Sequence, residues 1–279
     1  MDPVFKEAIW GGTKLRDVFD YEIPSDTTGE CWAISGHANG MSHVAGGRFD
    51  GKTLGELWKE EPEIFGNYPG SQVPLLIKII DAKNDLSIQV HPDDAYAQQY
   101  EHEPNGKTEM WYILEAEPEA SLIYGFSKPM QPEQLDTCLK ENTILSYLQK
   151  IPVKKGDVFL IPAGTVHAIG AGIVLAEIQQ SSNLTYRLYD YNRTDATGKK
   201  RPLHIEKAKA VIQFSANQPP QTKQPMQQKD GYQVQCLCKC PYFCTTLLTI
   251  QTACDWTDYQ PDSDTFQVLL CISGSGTIQ

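Results

Sequence analysis

Apolar residues in this chain come in short runs broken by Gly, Pro, Asn and Asp, a pattern of strands and turns. Residues 73–80, Val-Pro-Leu-Leu-Ile-Lys-Ile-Ile, are nearly all apolar and predict a strand buried on both faces. Residues 30–35 read as an earlier strand, after Ile9-Trp10-Gly11-Gly12. Residues 85–94 alternate and end at a proline turn, and 107–114, 122–126, 173–178 and 185–189 read as further strands. Residues 156–167 read as strand, tight turn, strand: Val158 to Ile161 lead into Pro162-Ala163-Gly164, and His167 follows. Pro restricts φ and Gly permits the left-handed region, so the turn would hold His167 at a defined point. Alone, the segment is equally an ordinary hairpin with an exposed histidine.

Helical spacing is confined to three places. Thr53 caps a pattern with Leu54, Leu57 and Trp58 on one face, closing near Pro62. Residues 131–150 carry Leu135, Leu139, Leu145 and Leu148 at helical spacing, which predicts a helical insertion between two halves of a β unit. Residues 203–214 predict a short helix. Many short strands and few helices predict an all-β sandwich or small barrel with helical insertions. A first domain spans 1–214. Residues 215–231, rich in Pro, Gln and Lys, read as a linker or surface loop. Residues 232–279, with strands over 233–240, 243–251 and 266–272, read as the first half of a second β unit, so that the sequence is expected to be truncated.

At 279 residues and 41% hydrophobic content, the chain can bury a large core. Its net charge of −11 argues against nucleic acid or an anionic membrane as partner, and it requires a local basic pocket for any anionic substrate. No apolar run reaches the length of a membrane span, and the first residues carry no secretory pattern. The eight cysteines do not form a small disulfide framework, and the expectation is of reduced thiols in a cytoplasmic protein.

Gln89 and His91 share a face of one predicted strand, Glu109 opens the next, and His167 follows the Pro-x-Gly turn. Two imidazoles, a carboxylate and an amide oxygen form a coherent set for a divalent metal, and with open positions the set suits Zn²⁺ or Fe²⁺. Taken singly, Gln-x-His is more often a polar strand edge and Glu109 a solvated carboxylate. Lys107 would share the face of Glu109. Cys236, Cys238 and Cys240 would lie along one face of a strand with Cys244 nearby. That spacing favours buried thiols acting as small hydrophobes over a zinc knuckle. His37, His43, His102 and His204 show no partner pattern and read as surface or satisfied histidines.

The spacing Gly156-x5-Pro162-x-Gly164-x2-His167 resembles the second half of the cupin signature. Four blocks together make the resemblance specific: Gln89-Val-His91-Pro-Asp-Asp94, Gly106-Lys107-Thr-Glu109-Met-Trp-Tyr, Pro162-Ala-Gly-Thr-Val-His167-Ala-Ile-Gly and Asn183-Leu-Thr-Tyr-Arg187-Leu-Tyr-Asp. Over about Trp10 to Phe214 the chain resembles the type I mannose-6-phosphate isomerases, in the short form typical of Gram-positive bacteria. It departs from the general cupin pattern at Ala171, where an asparagine is common. The resemblance implies a double-cupin (jelly-roll) β-sandwich scaffold with α-helical insertions. It also implies one Zn²⁺ per chain on His91, Glu109 and His167, with Gln89 as a fourth ligand, and Arg187 as the active-site arginine. The implied reaction is reversible interconversion of mannose 6-phosphate and fructose 6-phosphate, with a phosphosugar as the partner.

That reaction needs a base, stabilisation of an enediolate, and cations for the phosphate. Glu177 is the candidate proton relay; its alternative is an ion pair with Arg187. Lys107 is the first choice for substrate phosphate, with Lys199, Lys200 and Arg201 as a second group. Trp10 either walls the sugar site or is a core tryptophan. The rivals are an Fe²⁺-dependent cupin oxygenase and a non-catalytic sugar-binding cupin.

Overall fold

In the computed structural model, which describes residues 1–195, 197–216, 218–254 and 265–278, eleven strands precede the C-terminal segment. They are β1 (Val4–Gly12), β2 (Thr28–Ser35), β3 (Leu75–Ala82), β4 (Ile88–Val90), β5 (Glu109–Ala116), β6 (Ser121–Phe126), β7 (Leu148–Pro152), β8 (Val158–Ile161), β9 (His167–Ala168), β10 (Ile173–Gln180) and β11 (Tyr186–Tyr189). A three-stranded sheet follows, of β12 (Gln227–Gln228), β13 (Tyr232–Lys239) and β14 (Cys244–Ile250). The helices are α1 (Lys14–Asp17), α2 (Leu54–Glu60), α3 (Asp94–Tyr96), α4 (Pro132–Lys140) and α5 (Ile205–Val211). Thr53 caps α2 as expected: its hydroxyl accepts from the Glu56 N–H, and the Glu56 carboxylate accepts from the Thr53 N–H.

The scaffold is mainly β, as the run lengths predict. A six-stranded antiparallel sheet, in the order β1-β2-β3-β10-β5-β8, faces a five-stranded one, β11-β4-β9-β6-β7. Ile80, Trp111, Ile113, Leu175 and Phe159 from the first sheet pack against Leu122 and Tyr124 from the second. The alternate residues of the six-stranded sheet point outward. Cys31, Ile79 and Val174 pack there against Leu15 of α1, and Met110 packs against Leu237, Cys238 and Phe243 of the C-terminal sheet. Helices α4 and α5 cover the back of the five-stranded sheet, through Leu135, Cys138, Ala208 and Ile212. Strand β3 is thus covered on both faces, as its apolar run requires.

Three expectations are corrected. Residues 156–167 are not a hairpin: β8 pairs with β5 in one sheet, whereas β9 lies between β4 and β6 in the other. The turn at 162–164 is a crossover between layers. Gly164 has φ +84°, and a Cβ there would meet the Val211 carbonyl oxygen at 2.8 Å. Its N–H donates to the His91 carbonyl and its own carbonyl accepts from Gln213 N–H, so the turn is clamped between β4 and the end of α5. The helical pattern over 131–150 ends early, because Leu148 begins β7. No strand forms over 266–272; Phe266, Leu270 and Ile272 instead pack singly onto the apolar clusters of the main sandwich. Within 215–231, Thr222 and Gln224 hydrogen-bond to the β13 backbone at Leu237 and Cys236. The expected C-terminal β unit, 232–279, falls partly outside the described residues.

Candidate metal centre

Two cross-strand rows face each other at one end of the sandwich. On the five-stranded sheet, Arg187 lies opposite Gln89, Gln89 opposite His167, and His167 opposite Tyr124. On the six-stranded sheet, Glu177 lies between Lys78 and Trp111, and one step along the strands Gln179 lies opposite Glu109. Directly opposed residues in antiparallel strands leave the same face, so each row projects as a unit into the space between the sheets.

His91, Glu109 and His167 converge there. Their ligand atoms lie within 4.8 Å of one another, and all three residues are buried. His91 Nδ1–H donates to the Leu184 carbonyl at 2.8 Å, and His167 Nδ1–H donates to the Thr165 carbonyl at 2.9 Å. Each Nε2 therefore carries a bare lone pair, and both point at Glu109: His91 Nε2 is 3.5 Å from Oε2, and His167 Nε2 is 3.3 Å from Oε1. Gln89 Nε2 lies 3.5 Å from His167 Nε2; half a turn of the amide would bring its oxygen to the same place. Neither Glu109 oxygen nor His91 Nε2 has a directed hydrogen bond, although Lys107 Nζ stands 2.8 Å from Oε2. Buried donors left bare in this way, behind carbonyls that fix the ring tautomers, are the arrangement a metal ion completes.

Electrostatics reinforce the donor character. Burial pushes the His91 imidazole down to about 3, and the Lys107 charge adds to it. His167 is lowered as well, chiefly by burial, against the pull of Glu109. For Glu109, burial alone would push the carboxyl up, but the Lys107 charge beside it holds it well below the usual range. At neutral pH the set is two neutral imidazoles and a carboxylate.

Beyond the cluster, charges alternate. Lys107 Nζ lies 3.9 Å from Glu177 Oε1, and Lys78 Nζ lies 3.1 Å from the same oxygen and 3.3 Å from Glu30 Oε2. Trp111 donates its indole N–H to Glu177 Oε2 at 3.1 Å and sets its ring edge-on to His167. Arg187 is half-buried and donates through Nε to Ser87 Oγ and through a terminal nitrogen to the Pro202 carbonyl.

Residues 1–123 match the family described as phosphomannose isomerase type I, catalytic domain. Mannose-6-phosphate isomerase ManA of Bacillus subtilis (strain 168) is 51% identical over 211 residues, which cover 76% of this chain and 66% of that one. The chain thus spans about two thirds of that relative's length. A crystal structure of the mannose 6-phosphate isomerase from Bacillus subtilis superposes with a TM-score of 0.85 at 43% identity, covering 89% of this chain and 78% of that one. The chain belongs to the type I phosphomannose isomerases. A mannose 6-phosphate isomerase bound with zinc and yttrium shares the fold at 16% identity, with a TM-score of 0.59, covering 84% of this chain and 78% of that one.

Within this family framework the chain gathers His91, Glu109, His167, Gln89, Lys107 and Glu177 at one place, and Arg187 stands on the same cross-strand row as Gln89. Trp10 is not among them. It is 4% exposed in the inter-sheet core, with its ring against Gly29, so the core reading of that residue is the one the packing supports. Glu177 does not pair with Arg187; its cation is Lys78, and no carboxylate among the described residues lies within ion-pair distance of Arg187. Arg201 binds Asp190 through two nitrogens and Lys200 binds Asn192, which leaves neither at the cluster. The cysteines of β13 do not share one environment, because a register shift between Cys236 and Cys238 buries Cys238 and leaves Cys236 half-buried. Among the described residues, His91, Glu109 and His167 are the one group of three or more His, Cys, Asp or Glu close enough to hold an ion. The sequence reading missed Lys78, Glu30 and Ser87. Lys78 carried a signal, since a lone charge inside a doubly buried strand must have a partner.

Proposed function

We propose that this chain interconverts mannose 6-phosphate and fructose 6-phosphate, using a divalent ion, zinc, held by His91, Glu109 and His167 with Gln89 as a further ligand. The observation that carries the reading is the buried set of bare donor atoms on His91 and Glu109, in a chain that shares half its residues with a mannose-6-phosphate isomerase over most of its length. Nitrogen and oxygen donors without thiolate suit zinc in a catalytic role. Bound there, the ion would supply Lewis-acid polarisation or orientation of the sugar's oxygens.

The chain's own groups divide the remaining work. Isomerisation moves a carbon-bound proton from C2 to C1 and a hydroxyl proton from O2 to O1, and leaves the formula unchanged. Glu177 would accept the carbon-bound proton at Oε1, which has no directed hydrogen bond, and return it to the neighbouring carbon. Trp111 holds the other oxygen and fixes the carboxylate plane. Arg187, charged throughout and without a carboxylate partner among the described residues, would stabilise developing negative charge on oxygen. Lys107 would offer its ammonium to the substrate from between Glu109 and Glu177. The sandwich keeps bulk water from Glu177, Trp111 and Lys107 by burying them.

The test is a coupled assay for fructose 6-phosphate from mannose 6-phosphate before and after chelation, with metal analysis and solvent deuterium. Activity lost on chelation and restored by zinc, with deuterium entering the sugar, is the expected result. Metal-replete protein without turnover would leave a sugar-binding protein, and turnover requiring iron and O₂ would leave an oxygenase.

A further inference from the structure

Strand β11 lies at the edge of its sheet, so among the described residues no strand besides β4 completes its backbone. At Arg187 the strap leading into α5 does so instead. His204 N–H donates to the Arg187 carbonyl at 2.8 Å, and the Arg187 N–H donates to Nδ1 of the His204 ring at 3.2 Å. The side chain runs into the same strap, where the guanidinium donates to the Pro202 carbonyl at 2.9 Å. Its remaining contact is with Ser87 Oγ, one position before β4. Backbone and guanidinium of this one arginine are thus held by three bonds to residues 202–204.

We infer that His204 is a positioning residue for Arg187, its bare Nδ1 acting as the acceptor that fixes the β11 edge where the guanidinium must stand. The inference rests on the isomerase reading above and extends it to a residue outside the site. A backbone N–H can donate to Nδ1 only while that nitrogen is unprotonated, so the imidazole must be neutral with its proton on Nε2. Protonation would set an N–H against an N–H and open the bond. The groups facing the ring are Arg187 and Tyr186 from β11, Lys207 from α5, and Glu101 from the turn after α3. Burial lowers the imidazole first, and the Arg187 and Lys207 charges add to it, against Glu101. The ring is therefore neutral at physiological pH and titrates below its ordinary value of 6.5. Asparagine at 204 would place a carbonyl oxygen near the position of Nδ1, an acceptor that does not titrate.

The experiment compares wild type, His204→Ala and His204→Asn as metal-loaded full chains, measuring kcat and KM for mannose 6-phosphate against pH, with metal content and melting temperature. Loss of one hydrogen bond that orders a charged group should lower kcat about tenfold in His204→Ala, with KM, metal and melting little changed. His204→Asn should hold kcat within about twofold of wild type and lack the part of the acid-side fall that His204 contributes. Unchanged kcat in His204→Ala overturns the inference. So does a fall in His204→Asn as deep as in His204→Ala, an acid limb identical in His204→Asn and wild type, or loss of metal or folding in the alanine variant. Each of those results leaves an active wild type and the isomerase reading intact; an inactive wild type would overturn both.

Discussion

Replacing Lys78 with methionine tests the alternating charges behind the cluster. The side chain of Lys78 is 6% exposed and that of Glu177 4%, with Nζ 3.1 Å from Oε1, so neither charge has water to fall back on. Methionine keeps the volume and removes the cation, leaving Glu177 with the Trp111 N–H and a lysine at 3.9 Å. Breaking a buried pair on one side costs about 3–5 kcal/mol, because a charge is left without compensation. Glu30 contributes less, since its side chain is 21% exposed and keeps the Trp32 indole N–H. Lys78→Met should therefore lose about 3–5 kcal/mol in urea unfolding of metal-free protein at neutral pH. Lys78→Met with Glu177→Gln, which removes both charges, should recover most of that, to within about 1–2 kcal/mol of wild type. A Lys78→Met protein as stable as wild type would refute the reasoning, as would a double variant no more stable than the single one. Either result would mean that water reaches Glu177.

His167→Ala should abolish both bound metal and turnover, whereas Arg187→Ala should keep the metal and lower kcat; a change in KM alone would assign Arg187 to binding. For metal-free protein, the folded His91 imidazole lies near 3 against an ordinary 6.5, so between those values the unfolded chain binds protons the folded one refuses. Stability should rise with pH across that window by several kcal/mol at most and level off above it, measurable as unfolding midpoints from pH 4 to 8. A flat profile would mean that the ring is hydrated. Gly164→Ala meets both a left-handed φ and a carbonyl oxygen 2.8 Å away, and should cost about 1–3 kcal/mol and loosen metal binding by shifting His167. An unchanged melting temperature and zinc affinity would count against the clamp.

Much of the scaffold was legible because burial leaves a periodic trace. The doubly covered β3 reads as a nearly continuous apolar run, and Thr53 marks the start of α2. The candidate ligands were legible as residue types at strand positions, and the family blocks around them marked them as one set. Leu148 misled because a leucine at helical spacing is equally the first residue of a strand, and only pairing with β6 decides. Residues 266–272 misled because apolar side chains can dock singly on existing clusters without a partner strand.

What the sequence by itself determined is local: which residues turn inward on each strand, where turns must fall, and which donors the chain offers to an ion. What only the tertiary structure decided is which inward residues meet. The layer crossover at Pro162–Gly164 carries His167 from one sheet to the other, the pairing of β10 with β3 matches Glu177 to Lys78 rather than Arg187, and the strap before α5 brings His204 to the β11 edge. Alternation along a strand has a period of two residues and is written in the chain. The choice of neighbour is made by the packing of two whole sheets over distances no local pattern encodes.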